Sequence, residues 1–155
     1  MEQTPITKEG YSTLKKELKQ LIEVERPNNL QAIEEARAHG DLSENAEFEA
    51  AKDRQGFIEG RIGELGYKLG TAQIIDPDTL AKDKALFAAT VVLENVDTGE
   101  SIKYQLVGPD ESDIEKGKIS VFSPLGKAIL GKKPGDEVVL MAPAGKRTYE
   151  LVELR

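Results

Sequence analysis

The sequence predicts a two-domain α+β protein, an N-terminal antiparallel helical hairpin followed by a C-terminal domain of antiparallel β-sheet and short helix. Three observations predict it. Two long segments carry apolar residues at helical spacing, and a glycine with helix-capping residues stands between them. At Ile75-Asp76-Pro77-Asp78 the pattern changes to short runs that read as strands. Residues 1–75 are expected to form the coiled-coil hairpin, with an acidic tip at 40–45, and residues 76–155 the second domain.

The first arm is expected from Thr7 to His39. Thr7 is suited to cap it, and Glu9 places a negative charge in the first turn, where the helix dipole favours one. Tyr11, Leu14, Leu18 and Leu21 recur at spacings of three and four, and Leu30 and Ile33 resume the stripe after Arg26-Pro27. An interior proline removes a hydrogen bond and costs about 3 kcal/mol, so a kink or short break is expected there. Gly40 is placed to end the arm in a left-handed conformation. Asp41 and Ser43 are both competent to cap the next helix.

In the second arm Ile58, Ile62, Leu65, Leu69 and Ala72 form a four-three-four-three seam, with Ala51 two turns further back. The arm also carries Gly56, Gly60, Gly63, Gly66 and Gly70, each costing about 0.5–1 kcal/mol against alanine. Close approach of the two arms is one reason such residues would be kept. Beyond the boundary, Phe87–Leu93, Ile102–Val107, Ile119–Phe122, Val138–Met141 and Tyr149–Leu154 read as strands. Ser123-Pro124 starts a short helix to about Leu130, with serine as cap and proline in the first helical position.

With 155 residues the chain suits one or two small domains. It has no cysteine, so disulfides and thiolate metal sites are ruled out. The opening Met1-Glu2-Gln3-Thr4-Pro5 carries no signal pattern and no apolar run is long enough to span a bilayer, so a soluble cytoplasmic protein without a membrane role is expected. The net charge is -7, from 28 acidic and 21 basic residues, with both halves mildly acidic. Proteins that bind free nucleic acid usually present a strongly basic face. A protein partner, or a nucleic acid already held by one, fits this balance better.

Asp41 and Glu44 are the first candidates for chemistry. As aspartate followed three residues later by glutamate, they match a variant of the capping box. Capping is the commoner use of that pattern, but it uses one lone pair and leaves others free to bind magnesium, which keeps several waters and takes one or two carboxylates plus phosphate oxygens. Two exposed carboxylates are too few for a tight site, so the ion would be shared with a partner. A glycosidase-type acid/base pair needs a water-excluding pocket that a hairpin tip does not offer. His39, the only histidine, reads as a solvated helix-end residue. Arg37 and Lys52, one on each arm near the tip, read as surface charges able to contact phosphates.

The stretch Ala36-Arg37-Ala38-His39-Gly40-Asp41-Leu42-Ser43-Glu44-Asn45-Ala46-Glu47-Phe48 resembles the tip signature of the GreA/GreB family of bacterial transcript cleavage factors. The resemblance extends through Arg26-Pro27, Ala50-Ala51-Lys52, Arg61-Ile62, Val107-Gly108, Ser123-Pro124, Gly131-Lys132 and Gly135-Asp136, so it covers essentially the whole chain. It implies an FKBP-like second domain and a factor that inserts its coiled coil into the secondary channel of RNA polymerase. Asp41 and Glu44 would then help bind the catalytic magnesium and position the attacking water, while the polymerase hydrolyses backtracked RNA near its 3′ end. The factor would not be a nuclease by itself. Arg37 and Lys52 fall where the family contacts the extruded RNA, and Asp110, Glu111, Ser112, Asp113, Ser123 and Pro124 where it docks on the polymerase. The basic patch is modest, as in the less basic branch of the family. Phe48 stands where many members carry tyrosine, which removes a hydroxyl but leaves the carboxylates.

Two other functions fit parts of the chain. A channel-binding inhibitor of the same architecture would bind polymerase without promoting cleavage, and would be expected to alter the tip that is kept here. An FKBP-like prolyl isomerase would need an aromatic pocket, for which the second domain has only Phe87, Tyr104, Phe122 and Tyr149. A single self-paired hairpin needs no second copy, so a monomer is expected.

Overall fold

The computed structural model describes residues 2–40 and 45–155. It divides into two compact units, one formed by residues 11–71 and the other by residues up to Gly10 together with Ala72–Arg155. The boundary expected at Ile75-Asp76 thus falls at Thr71/Ala72, and the first residues group with the C-terminal part. The reason is a parallel strand pair that the sequence pattern does not announce. β1 (Thr4–Ile6) pairs with β2 (Ala72–Ile74), and Ile75 N donates to Ile6 O at 3.1 Å.

The helical unit is built from α1 (Lys8–Gln20), a π-helical turn (Leu21–Glu25), α2 (Arg26–Arg37) and α3 (Ala46–Thr71). Thr7 caps α1, its Oγ1 accepting from Gly10 N at 3.0 Å. The break expected at Pro27 takes the form of the π turn just before it. The Arg26 amide bonds back to Leu21 O, five residues earlier, and Pro27 then occupies the first turn of α2, where a missing N–H is tolerated. The arms are antiparallel, as three cross-arm ion pairs show: Arg61–Glu17 at 2.7 Å, Arg54–Glu25 at 3.4 Å and Arg26–Glu59 at 2.8 Å.

Leu14, Leu21, Ile33, Ala36, Ala51, Ile58 and Leu65 are buried in the seam, with Ile62 and Leu69 half-buried. Leu30 is not part of it: it is 47% exposed, and Asn29 is buried instead. Ile33 and Ala36 set the buried face: Asn29, four and seven residues before them, lies on it, whereas Leu30, six residues before Ala36, is rotated away. The five glycines of α3 also depart from expectation. A Cβ built on Gly56, Gly60, Gly63, Gly66 or Gly70 meets nothing within 4 Å, so close approach of the arms does not explain them.

The second unit is a five-stranded sheet in the order β5-β4-β3-β7-β6, from β3 (Thr90–Asn95), β4 (Ser101–Val107), β5 (Lys118–Ser120), β6 (Glu137–Ala142) and β7 (Gly145–Leu154). All neighbours are antiparallel except β4 and β5, which the chain joins through two short 3-10 turns. α4 (Pro124–Ile129) follows β5, and Ser123 Oγ accepts from Gly126 N at 3.0 Å, the cap that Ser-Pro predicts. The core contains Val91, Leu93, Leu106, Ile119, Ile129, Val138, Tyr149 and Leu151. Alternate residues of β3 and β7 supply it, as the two-residue strand period requires.

Candidate functional site

The hairpin end is shaped by backbone bonds that stop one helix and a side chain that starts the next. α2 closes with His39 N bonded to Ala36 O at 3.2 Å and Gly40 N to Arg37 O at 3.3 Å. Gly40 then turns at φ 106°, a conformation open to glycine at little cost. α3 opens at Ala46 with Asn45 as its cap: Phe48 N donates to Asn45 Oδ1 at 3.1 Å. The other half of the same carboxamide reaches across the hairpin, Nδ2 donating to Ala36 O at 2.7 Å.

Asp41 and Glu44, the expected magnesium ligands, lie outside the described residues, as does Ser43, one of the two expected caps. The cap of α3 is Asn45 and neither of the two expected residues; asparagine three residues before Phe48 is itself a strong N-cap signal. Arg37 is exposed in the last turn of α2, where a cation favours the helix dipole. Lys52 is exposed on α3, its Nζ donating to Gln55 Oε1 at 2.8 Å. His39 is exposed just beyond α2.

Charges line both flanks of the hairpin. The Arg61 guanidinium bonds Glu17 through two nitrogens, at 2.7 and 2.9 Å, and holds that carboxyl below its usual range; Arg61 itself is raised. Arg26 does the same for Glu59 with bonds of 2.9 and 2.8 Å. Lys68 and Arg61 together lower Glu64.

The sequence-predicted docking residues separate into two groups in the second unit. Ser123 and Pro124 line an open groove of about 650 Å³ whose apolar wall includes Ile114, Leu125, Leu140 and Met141. Ile114 and Met141 are 68% and 74% exposed. The Ser123 hydroxyl is engaged within the fold, donating to Ser120 O at 2.7 Å besides capping α4. Glu111 faces the chain's own first residues: its carboxylate accepts from Thr7 N at 2.9 Å, Thr7 Oγ1 at 2.6 Å and Gly108 N at 2.9 Å. Asp113 accepts from Glu115 N at 3.2 Å and starts a 3-10 turn, and Asp110 is half-buried in the turn before it. Of the four aromatics, Phe87 and Tyr149 belong to the core and Phe122 is 56% exposed.

Among the described residues, no group of three or more His, Asp or Glu is placed to hold a metal ion, and no helix is long and apolar enough to cross a membrane. The arrangement defines a class of protein that combines a long helical hairpin with a small sheet unit bearing an apolar groove. A family model for the N-terminal domain of transcription elongation factors matches residues 4–74, and the GreA/GreB C-terminal model matches residues 80–155. The chain belongs to the GreA/GreB family of transcription elongation factors. It is 53% identical over 156 residues to transcription elongation factor GreA of Neisseria meningitidis serogroup A, covering 100% of this chain and 99% of that one. Its identity to the GreA of Syntrophobacter fumaroxidans is 52% over 155 residues, with 100% and 99% covered. Among solved structures, GreA factor homolog 1 of Thermus thermophilus is 31% identical, with 99% of each chain covered and a TM-score of 0.46.

Proposed function

We propose that this chain is a transcription elongation factor that inserts its hairpin into the secondary channel of RNA polymerase and stimulates the polymerase's own cleavage of backtracked nascent RNA, rescuing arrested complexes. What supports the chemistry most is the capping of α3. Asn45 starts that helix, so Asp41 and Glu44 are not needed to cap it, although they stand in the connection between the two arms. Their two carboxylates offer hard oxygen donors of the kind magnesium prefers, and too few for a tight site on the free protein. They would hold the ion jointly with polymerase. When bound, it stabilises charge on the attacking and leaving oxygens of the phosphodiester.

The residues of this chain then divide the remaining work. The Asp41 and Glu44 carboxylates accept hydrogen bonds from the attacking water and orient it. Arg37 and Lys52 contact phosphates at the 3′ end of the backtracked RNA. The groove beside Ser123 and Pro124 docks on the polymerase at the channel rim. The protein acts as a monomer in the cytoplasm, where its partner is, and catalyses nothing alone.

The test is RNA cleavage in stalled, backtracked elongation complexes with magnesium. The Asp41→Asn/Glu44→Gln double variant is expected to bind polymerase like the wild type while its cleavage rate falls about 100-fold, the effect of losing the orienting groups. Binding without cleavage by the wild type would point to a channel-occluding inhibitor. Absence of binding would remove the reading altogether.

A further inference from the structure

Resting on the cleavage reading above, we propose that Asn45 is a positioning residue, whose single carboxamide fixes the start of α3 against the end of α2 and thereby holds the connection that carries Asp41 and Glu44. A cap needs only an acceptor, and serine, threonine or aspartate supplies one as well as asparagine. Here the side chain uses both ends. Oδ1 accepts from Phe48 N at 3.1 Å, and Nδ2 donates to Ala36 O at 2.7 Å. The reverse orientation would set two donors, and two acceptors, face to face, so the network fixes which atom is nitrogen. Ala36, the receiving residue, is itself only 2% exposed, so the anchor on α2 is a firm one. Ala36 O also accepts from His39 N, and the same carbonyl therefore ties both the chain leaving α2 and the residue entering α3. Asn45 follows Glu44 directly in the chain, so the bridge fixes the described end of the segment from which both carboxylates come.

Two variants separate the bridge from the cap. Asn45→Asp keeps the acceptor for Phe48 N and replaces the donor with an oxygen facing the Ala36 carbonyl. Asn45→Ser keeps a capping oxygen on a side chain too short to reach Ala36 and adds no charge. Helix content, polymerase affinity, cleavage rate at saturating factor and its magnesium dependence are measured for both, with amide exchange at Ala38, His39 and Gly40. Both variants are expected to retain helix content and to bind polymerase within about twofold of wild type. Their saturated cleavage rates are expected to fall about tenfold, with partial recovery at raised magnesium, because a loosened ligand pair weakens metal binding and orientation. Exchange at the three amides is expected to quicken. Wild-type cleavage rates in both variants would overturn the proposal, as would parallel loss of helix content, affinity and cleavage, which marks a cap alone. If the wild-type protein itself stimulates no cleavage, the cleavage reading fails and exchange decides the bridge: quickened amides in both variants uphold it, and unchanged amides overturn it.

Discussion

Glu111 shows how one carboxylate can organise a segment far away in sequence. It receives the backbone and hydroxyl of Thr7 and the backbone of Gly108, and Gly10 packs against it closely enough that an added Cβ would collide with the carboxylate. Glu111→Ala leaves those donors without their partner and is expected to lower stability by about 1.5–3 kcal/mol in denaturant unfolding, the range for hydrogen bonds to a charged group. Gly108 makes a related contribution through absence of a side chain, because a Cβ there would collide with the Pro5 carbonyl. In sequence, Asp110-Glu111-Ser112-Asp113 is one polar run, and nothing in it says which residue turns toward Thr7. The capping role of Thr7 was readable from its place before a helical stripe. Its partner 104 residues later was not.

At the scale of elements, the hairpin combines a conventional seam with an unusual outer face. Since the glycines of α3 face open space, alanine at Gly56, Gly60 and Gly63 removes backbone freedom from the unfolded chain without creating a clash. Each substitution is expected to add about 0.5–1 kcal/mol, seen as a higher melting temperature; a loss would mean that the glycine backbone has a role the free protein does not show. Acid acts in the other direction. Glu17, Glu59 and Glu64 have folded pKa values below the ordinary 4.5 because of hydrogen bonds from Arg61, Arg26 and Lys68 respectively. A lowered carboxylate stabilises fully above its unfolded pKa and loses that contribution as the pH falls through the folded value. Thermal melts followed by helix signal should therefore hold from pH 7 to about 5 and drop below about pH 4. Arg61→Gln should shrink that drop. The Glu17–Arg61 pair is partly solvated, so its own share is no more than about 1 kcal/mol.

For the molecule as a whole, the proposed function puts attachment in the sheet unit and chemistry in the hairpin, and mutation should separate them. Met141 and Ile114 are exposed on the groove wall, so Met141→Asp or Ile114→Asp leaves the core intact. Polymerase affinity is expected to fall about tenfold or more, the effect of losing an apolar anchor in a protein interface. Cleavage at saturating factor should stay near wild type, because the hairpin residues are untouched. Unchanged affinity in both variants would move the docking surface elsewhere. The Asp41→Asn/Glu44→Gln variant should show the complementary result.

Local chemistry along the chain determines the two helical arms, the turn at Gly40, the Thr7 and Ser123 caps and most of the strands. Each depends on residues within a few positions of one another, where helical or alternating periodicity and capping preference act directly. The family signature at the tip is local in the same sense. Other features required the chain to fold back on itself. The β1–β2 pair joins residues almost seventy positions apart. The parallel β4–β5 contact, Glu111 against Thr7 and the choice of Asn29 over Leu30 in the seam also depend on long-range placement or on helix phase. Asn45 lies at the meeting point: its cap is written in the nearest three residues, while its hold on Ala36 exists only once the two arms are paired.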